Sequence, residues 1–234
     1  MITIRPAAAR GYADHGWLQA RHTFSFGRYY DPDHMGFSVL RVLNQDIIQG
    51  GKGFGTHPHD NMEILTWVLE GALEHKDSMG NGSVIRPGEA QFMSAGTGVT
   101  HSEFNHHADR PCHLLQMWVL PAVRSTSPRY DQRSYPDEAL AGRFQLVASG
   151  DPGDDAILIG QDVRFHAGRF GSGQEDVVAL EPGRAAWIHV ALGRVTLDGQ
   201  GLGPGDGAAV TGATTLRVAG VEDAEIVVWD LPGA

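Results

Sequence analysis

The chain has 234 residues, a formal net charge of −10 at pH 7 and a sequence isoelectric point near 5.6. An acidic surface disfavours a phosphate backbone or an anionic membrane as a direct partner, because both attract basic proteins. The single cysteine excludes an intrachain disulfide. The amino terminus lacks a signal-peptide pattern and no segment approaches the roughly 18 apolar residues of a membrane span, so we expect a cytoplasmic protein.

Short apolar or alternating runs bounded by turn residues dominate the chain, and they indicate strands rather than helices. The clearest runs, in chain order, are 64–69, 91–95, 114–120, 187–192 and 226–231. The best candidate for a helix is a short one at 137–142. Together with 31 glycines and 12 prolines, this pattern predicts an all-β protein built as a sandwich or barrel.

A faint internal repeat divides the chain in two. The order strand, glycine, strand, Pro-Gly-acid occurs at 65–89 and again at 187–206. A duplicated domain is the favoured interpretation, and independent reuse of common turns is the alternative. A boundary is expected in the polar stretch 125–136, where prolines punctuate the chain. We therefore predict a first domain at 1–125 and a second at 126–234.

Two short motifs carry the chemistry: His57-Pro58-His59 and, later in the chain, His101-Ser102-Glu103. Residues two apart on a strand point to the same side, so each motif can offer two side chains to one ion. Imidazole suits iron, copper, nickel and zinc, and a carboxylate adds a harder oxygen ligand. One divalent transition metal is therefore predicted, with a structural polar cluster as the alternative. Its ligands would be His57, His59, His101 and Glu103.

Glycines flank both motifs, at 51–55 and 96–98, and are expected to form tight turns rather than to touch substrate. Protons should compete with the ion below the ordinary imidazole pKa near 6.5. Five other histidines are expected on the surface or in hydrogen bonds rather than as metal ligands. They are His75, His106, His107, His166 and His189.

The second repeat carries Ala179 and Glu181 at the positions equivalent to His57 and His59. It is therefore expected to hold no metal. Cys112 lies in a β-like run and is predicted to be a buried structural thiol rather than a nucleophile. Segment 17–30 is rich in aromatic residues, which are expected to close one end of the core, with a floor for a flat ring system as the alternative. These residues are Trp17, Phe24, Phe26, Tyr29 and Tyr30.

The motifs resemble the cupin pattern, in which glycine precedes a His-x-His pair and a later histidine follows a glycine-rich turn. Here the pattern departs from the general one, because Gly96 stands where a proline is usual and Glu103 follows His101 by two residues. That departure resembles the pirin family, which is marked by His-Pro-His and His-Ser-Glu. The residues that carry the resemblance are Gly51, His57, His59, Glu63, Gly71, Gly98, His101, Asn105 and the stretches 15–18, 21–26 and 69–71.

The resemblance, strong over the first 120 residues, implies a bicupin with two β-sandwich, jelly-roll barrel domains. It implies one metal ion in the amino-terminal domain, held by His57, His59, His101 and Glu103, and a degenerate, metal-free carboxy-terminal domain. Glu63, a ligand position in a general cupin, is expected outside the inner shell, behind the ligands. Iron(II) is the favoured ion, and copper, nickel, manganese and zinc stay open.

Several pirins are quercetin 2,3-dioxygenases, which open the flavonol ring with dioxygen and release carbon monoxide. The resemblance thus implies a small aromatic substrate and dioxygen, with Glu103 as ligand, as catalytic base, or as both. The alternative is a non-catalytic regulator whose bound metal, through its oxidation state, controls affinity for a partner protein. A sugar isomerase or another cupin enzyme is a third and weaker interpretation.

Overall fold

The computed structural model describes residues 1–212 and 215–233, and this part of the chain is almost entirely β. A 3-10 helix spans Ala7–Ala9, and α1 spans Asp137–Leu140. Among the described residues, no helix is long and apolar enough to cross a membrane.

The strands follow one another with short connections. In chain order they are β1 (Ile2–Arg5), β2 (Gly11–Asp14), β3 (Leu18–His22), β4 (Leu40–Ile48), β5 (Gly53–His59), β6 (Glu63–Glu70), β7 (Leu73–Asp77), β8 (Gly82–Ile85), β9 (Glu89–Ser94), β10 (Val99–Asn105), β11 (Cys112–Val119), β12 (Arg129–Ser134), β13 (Phe144–Ser149), β14 (Ile157–Leu158), β15 (Arg164–Phe170), β16 (Glu175–Ala179), β17 (Ala185–Leu192), β18 (Val195–Leu197), β19 (Gln200–Leu202), β20 (Gly207–Thr211), β21 (Thr215–Gly220) and β22 (Ala224–Leu231).

The five runs that the sequence marks as strands fall on β6, β9, β11, β17 and β22. All but one of the residues of β6 are buried, as are all of β22, which explains why these strands appear as continuous apolar runs. The expected short helix is α1. The all-β fold class is confirmed.

The chain divides into two compact units. The N-terminal unit comprises Gly11–Gly36 and Leu40–Ser134. The C-terminal unit comprises Met1–Arg10, Phe37–Val39 and Tyr135–Ala234.

The N-terminal unit contains a seven-stranded sheet, in the order β12-β9-β6-β11-β4-β3-β2, and a four-stranded sheet, in the order β5-β10-β7-β8. A buried apolar cluster draws on strands of both sheets. Its members are Leu18, Ala20, Ile48, Val68, Leu73, Ile85, Cys112 and Leu114. The unit is therefore a two-sheet sandwich of the kind that the sequence predicts.

The C-terminal unit repeats this plan. Its seven-stranded sheet runs β1-β20-β17-β22-β15-β13-β14, and its four-stranded sheet runs β16-β21-β18-β19. Its core is a larger apolar cluster, with Ile188, Val190, Val218, Ile226 and Val228 among its members. Two units with the same pair of sheets agree with the duplication read from the sequence.

The observed units differ from the expected division after residue 125 at three places, one of which is the short segment Phe37–Val39 in the C-terminal unit. Strand pairing explains the other two. Strand β12 pairs with β9 along its whole length, from Arg129↔Ser94 to Ser134↔Glu89, so the N-terminal unit extends to Ser134. Strand β1 pairs with β20 and so joins the C-terminal unit. Pairing between strands far apart in the sequence decides both differences, and no local pattern announces it.

Candidate metal centre

Strands β5 and β10 bring the two predicted ligand motifs face to face. They pair antiparallel, with His101 directly opposite His57 and Val99 opposite His59. The three imidazole rings consequently converge: their centroids lie 4.4 Å apart for His57 and His101, and 4.8 Å for His59 with each of the others. One ligand nitrogen from each ring fits within a 4.8 Å cluster.

Glu103, the fourth predicted ligand, lies on the same strand as His101. The register between β10 and β5 shifts between these two residues, a bulge that sets Glu103 opposite Phe54. Its Oε2 accepts a hydrogen bond of 2.8 Å from Nε2 of Gln116. Within the described residues Oε1 is buried without a hydrogen-bond partner. Burial raises the pKa of Glu103 to about 7.

Hydrogen bonding selects which nitrogen of His57 faces inward. Its Nδ1 donates to the backbone carbonyl of Gly55 at 2.8 Å, which leaves the Nε2 lone pair for a ligand. Burial, reinforced by the neighbouring imidazoles, lowers the pKa of His59 to about 4 and that of His101 to about 3. Neutral imidazole is the form that binds a metal.

The donor set fits a divalent metal ion. In the described chain, Nε2 of His101 and Oε1 of Glu103 are both buried polar atoms without a hydrogen-bond partner, and such atoms are costly unless something pairs with them. A second cluster of potential ligands combines His75 with His101 and Glu103. His75 is not a comparable ligand, because its Nε2 contacts Asp77 and its Nδ1 contacts Gln91.

A cavity of about 280 Å³ opens beside the ligands, within the N-terminal unit. The surface that faces the cavity is mostly apolar, although seven of the twelve lining residues have polar side chains. The residues are Leu18, Ala20, His22, Phe26, Asn44, Asp46, Phe54, His57, His59, Glu103, Gln116 and Trp118. Trp118 and His59 also line an open groove of about 700 Å³. The potential ligands thus border a space that can hold a small organic molecule.

The aromatic segment has a divided role. Phe24 is buried in the core, and Trp17 packs edge-on against Phe54 with ring centroids 5.3 Å apart. Phe26 lines the cavity and meets Trp118 edge-on at 5.3 Å, whereas Tyr30 is 73% exposed. The expectation that these residues only close the core therefore fails for Phe26.

Three residues of the site have contacts that the sequence interpretation does not contain, although it does expect His75 to be hydrogen-bonded. Trp118 packs edge-on against His59 with centroids 4.9 Å apart, and Gln116 orients Glu103. Both lie in β11, whose apolar character suggests core. His75 is fully buried beside His101. The sequence signal for it was His75-Lys76-Asp77, two polar residues on one face of a strand.

Other predicted positions are less central. Glu63 is buried and accepts a hydrogen bond of 2.6 Å from Oγ of Ser94. Cys112 is buried, as expected, and burial raises the pKa of its thiol to about 12. Of the glycines, Gly98 has a φ of +133°, which a turn with any other residue would strain. Gly53 lies inside β5, and a Cβ there would meet the Glu103 carbonyl oxygen at 2.2 Å.

The histidines that the sequence places on the surface or in hydrogen bonds have different environments in the structure. His106 contacts Glu74 and His107 contacts Arg110 near the surface, as expected. His166 is not hydrogen-bonded through Nδ1, which is buried and lacks a partner among the described residues. Burial lowers the pKa of His166 to about 4. It lies in the C-terminal unit, away from any of the clusters of potential ligands found in the described residues.

Two sandwiches with matching sheets, one of which gathers imidazoles and a carboxylate on adjacent strands, define a bicupin. Sequence comparison makes this assignment specific. Residues 3–119 match the family described as Pirin, and residues 146–231 match the family described as Quercetinase C-terminal cupin domain. The chain belongs to the pirin family.

The chain is similar to curated relatives and solved structures over almost its full length. It is 45% identical over 232 residues to quercetin 2,3-dioxygenase of Escherichia coli K12, covering 99% of both chains. The crystal structure of YhhW from Escherichia coli matches with a TM-score of 0.94 at 44% identity, covering 100% of this chain and 99% of that one. A structure of the bacterial pirin YhhW in complex with nickel(II) matches over 100% of both chains with a TM-score of 0.93.

Proposed function

We propose that this protein is a metal-dependent dioxygenase that cleaves a flavonol such as quercetin with dioxygen. The observation that carries the proposal is the convergence of three imidazoles, those of His57, His59 and His101. Two of these imidazoles, with the buried carboxylate of Glu103, lie at the wall of a mostly apolar cavity. The relative named quercetin 2,3-dioxygenase and the nickel-bound pirin support it.

His57, His59, His101 and Glu103 would hold the metal, which we propose to be iron(II). The bound ion would supply Lewis acidity and redox chemistry beside the cavity. Sites that combine imidazole with carboxylate and leave open positions are typical of non-haem iron oxygenases. Elemental analysis of the untagged protein, purified without added metal, checks the identity of the ion.

Glu103 is suited to take the proton of the flavonol hydroxyl. In the metal-free site burial raises the pKa of Glu103 to about 7, so a carboxylate released from the ion would take a proton readily. Gln116 holds one carboxylate oxygen, and the other faces no protein donor in the described chain. This second oxygen would bind the ion, and it would take the flavonol proton when it is released from the ion.

The cavity walls would bind the flat ring system. Phe26, Trp118 and Leu18 offer apolar and aromatic surface, and burial between such side chains stabilises an aromatic ligand and excludes water. Polar side chains at the same cavity, among them His22 and Asn44, are joined by a hydrogen bond of 2.9 Å. They would face polar groups of the substrate.

The decisive experiment is an aerobic assay with quercetin after loading with iron(II) or nickel(II). The visible absorption of quercetin should bleach, with dioxygen uptake and carbon monoxide release in equal amounts, and removing dioxygen should stop the reaction. Full metal occupancy without flavonol-dependent dioxygen uptake would reject the enzyme and favour a metal-dependent regulator that acts through a protein partner.

Replacing Glu103 by Gln tests the proposed base. The amide keeps a similar volume but cannot take the proton, so turnover should fall by about a hundredfold or more. A matched control is Glu225→Gln, which changes a buried glutamate of the C-terminal unit that pairs with Arg169. Glu225→Gln should retain turnover. A Glu103→Gln protein that is metal-loaded, folded and nearly as active would exclude Glu103 as the base.

A further inference from the structure

Two side chains outside the proposed ligand set lie in register behind it. Strand β7 pairs with β10 so that Asp77 is opposite His101 and His75 is opposite Glu103. Directly opposite residues on paired strands share a face of the sheet. The side chains of His75 and Asp77 are both fully buried, so solvent does not exchange protons freely with them.

The contacts form a line that ends at a proposed ligand. Nε2 of His75 lies 3.2 Å from Oδ2 of Asp77. Nδ1 of His75 lies 3.2 Å from Nε2 of Gln91 and 3.4 Å from Nδ1 of His101. Each nitrogen of His75 thus has a defined neighbour.

These contacts determine where the ring protons sit. A carboxylate only accepts, so the Nε2 of His75 carries the proton and donates it to Asp77. The Nδ1 of His75 then has a lone pair, which agrees with the amide donor of Gln91 facing it. Two lone pairs repel at 3.4 Å, so the Nδ1 of His101 must carry the proton.

We propose that Asp77 and His75 are positioning residues that fix the tautomer of His101. With its proton on Nδ1, His101 presents the Nε2 lone pair, the atom that is buried without a partner within the described chain. This inference rests on the proposed metal site. It adds that hydrogen bonds orient the lone pair of His101 toward the ion position in the metal-free protein. Partners behind a ligand histidine commonly set its orientation and tautomer.

The turn after β7 holds the Asp77 carboxylate in a single orientation. Its Oδ1 accepts hydrogen bonds from the backbone N–H groups of Met79 at 2.9 Å and Asn81 at 3.0 Å. Its Oδ2 accepts from Nδ2 of Asn81 at 2.9 Å and faces His75. The two oxygens therefore have different and fixed roles.

Asp77→Asn exploits this arrangement. The two backbone N–H groups can only donate, whereas the side-chain amide of Asn81 and the ring of His75 can each turn from donor to acceptor. The new amide must therefore place its NH2 group toward Asn81 and His75. The His75 ring must then accept at Nε2 and carry its proton on Nδ1, which in turn forces the proton of His101 onto Nε2. That proton blocks the ligand atom. We expect nickel(II) to bind about 10- to 100-fold more weakly than to the unchanged chain, as measured by calorimetric titration.

The tautomers themselves are observable in the metal-free protein. Long-range proton–nitrogen NMR of histidine-labelled chain distinguishes the two ring nitrogens, and His75→Gln and His101→Gln assign the signals. The unchanged protein should show His75 protonated on Nε2 and His101 on Nδ1. Asp77→Asn should reverse both. A merely structural contribution of Asp77 would weaken binding without exchanging the tautomers.

The control is Asp31→Asn, which changes the carboxylate paired with His34 outside the site. It should alter neither nickel affinity nor the His101 signals. A metal-free unchanged chain with His101 protonated on Nε2 would overturn the proposal, as would Asp77→Asn with unchanged tautomers. If Asp77→Asn fails to fold, the spectrum of the unchanged chain still decides. Absence of nickel binding to the unchanged chain would instead reject the metal site.

Discussion

The two units have the same pair of sheets, but their interiors differ in chemistry: one contains a cluster of polar potential ligands and the other is apolar. In the N-terminal unit, the neighbouring strands β5, β10 and β7 carry His57, His101 and His75. In the C-terminal unit, the strands at the same places in the sheet order are β16, β21 and β18. Their inward residues belong to the apolar core, as Val178, Leu216, Val218 and Leu197 show.

This contrast shows what the architecture does and does not specify. A two-sheet sandwich supplies closely spaced inward positions, and the side chains there decide between packing and ligation. Buried apolar residues stabilise the C-terminal unit. Buried imidazoles and a buried carboxylate lower the stability of the fold unless they form hydrogen bonds or bind an ion. The N-terminal unit therefore has a reason to bind a metal, and the apolar cluster of the C-terminal unit offers it no ligands.

The largest expected effect comes from removing a ligand on one side of this comparison. His101→Ala deletes a buried imidazole and should weaken nickel(II) binding by more than about a hundredfold, beyond the range for residues behind the ligands. His166→Ala removes the buried histidine of the C-terminal unit and should leave binding unchanged. Calorimetric titration of both variants checks this. Equal losses in the two would show that the interiors are not specialised in this way.

Shortening a side chain in the apolar core of the C-terminal unit should lower stability and leave metal binding unchanged. Leu216 is fully buried in the C-terminal core. Leu216→Ala removes buried methyl groups and leaves a cavity, so the free energy of unfolding should fall by about 2–5 kcal/mol. Chemical denaturation of the metal-free protein measures this loss. Nickel affinity of the folded variant should be unchanged, and a large drop in it would mean that the C-terminal core supports the ligands.

The last prediction concerns the number of protons that nickel(II) displaces when it binds. In the metal-free site Glu103 has a raised pKa of about 7, whereas His59 and His101 have lowered values of about 4 and 3. At about pH 6 these two imidazoles are neutral and Glu103 is largely protonated, so nickel should displace about one proton from Glu103. Calorimetry in buffers of different ionisation enthalpy counts it. Glu103→Gln should release about one proton fewer than the unchanged chain.

The same values give the sign of the pH dependence. Below about pH 7 a proton on Glu103 competes with the ion, so nickel affinity should fall by about tenfold for each further pH unit. The fall should steepen near pH 4, where His59 begins to take a proton as well. Affinity that is flat between pH 7 and 5 would show that Glu103 is not a ligand.

The sequence by itself determined the all-β class, the repeat and the two ligand motifs. Those features are local: strands appear as alternating or apolar runs, and His57 and His59 share a face simply because they are two residues apart on β5. The resemblance of the paired motifs to pirins then implied the family. Spacing along one strand survives folding, which is why the two motifs meet on paired strands. The assignment of their side chains as metal ligands stays a prediction.

Only the tertiary structure decided what lies behind and beside the motifs. Strand pairing assigns β1 and β12 to their units, and the β7–β10 register sets His75 behind His101. Burial lowers the pKa of His59 and His101 below the ordinary imidazole value near 6.5 and raises that of Glu103 to about 7. Desolvation and cross-strand contact depend on chain segments that are distant in sequence, so local patterns do not contain them.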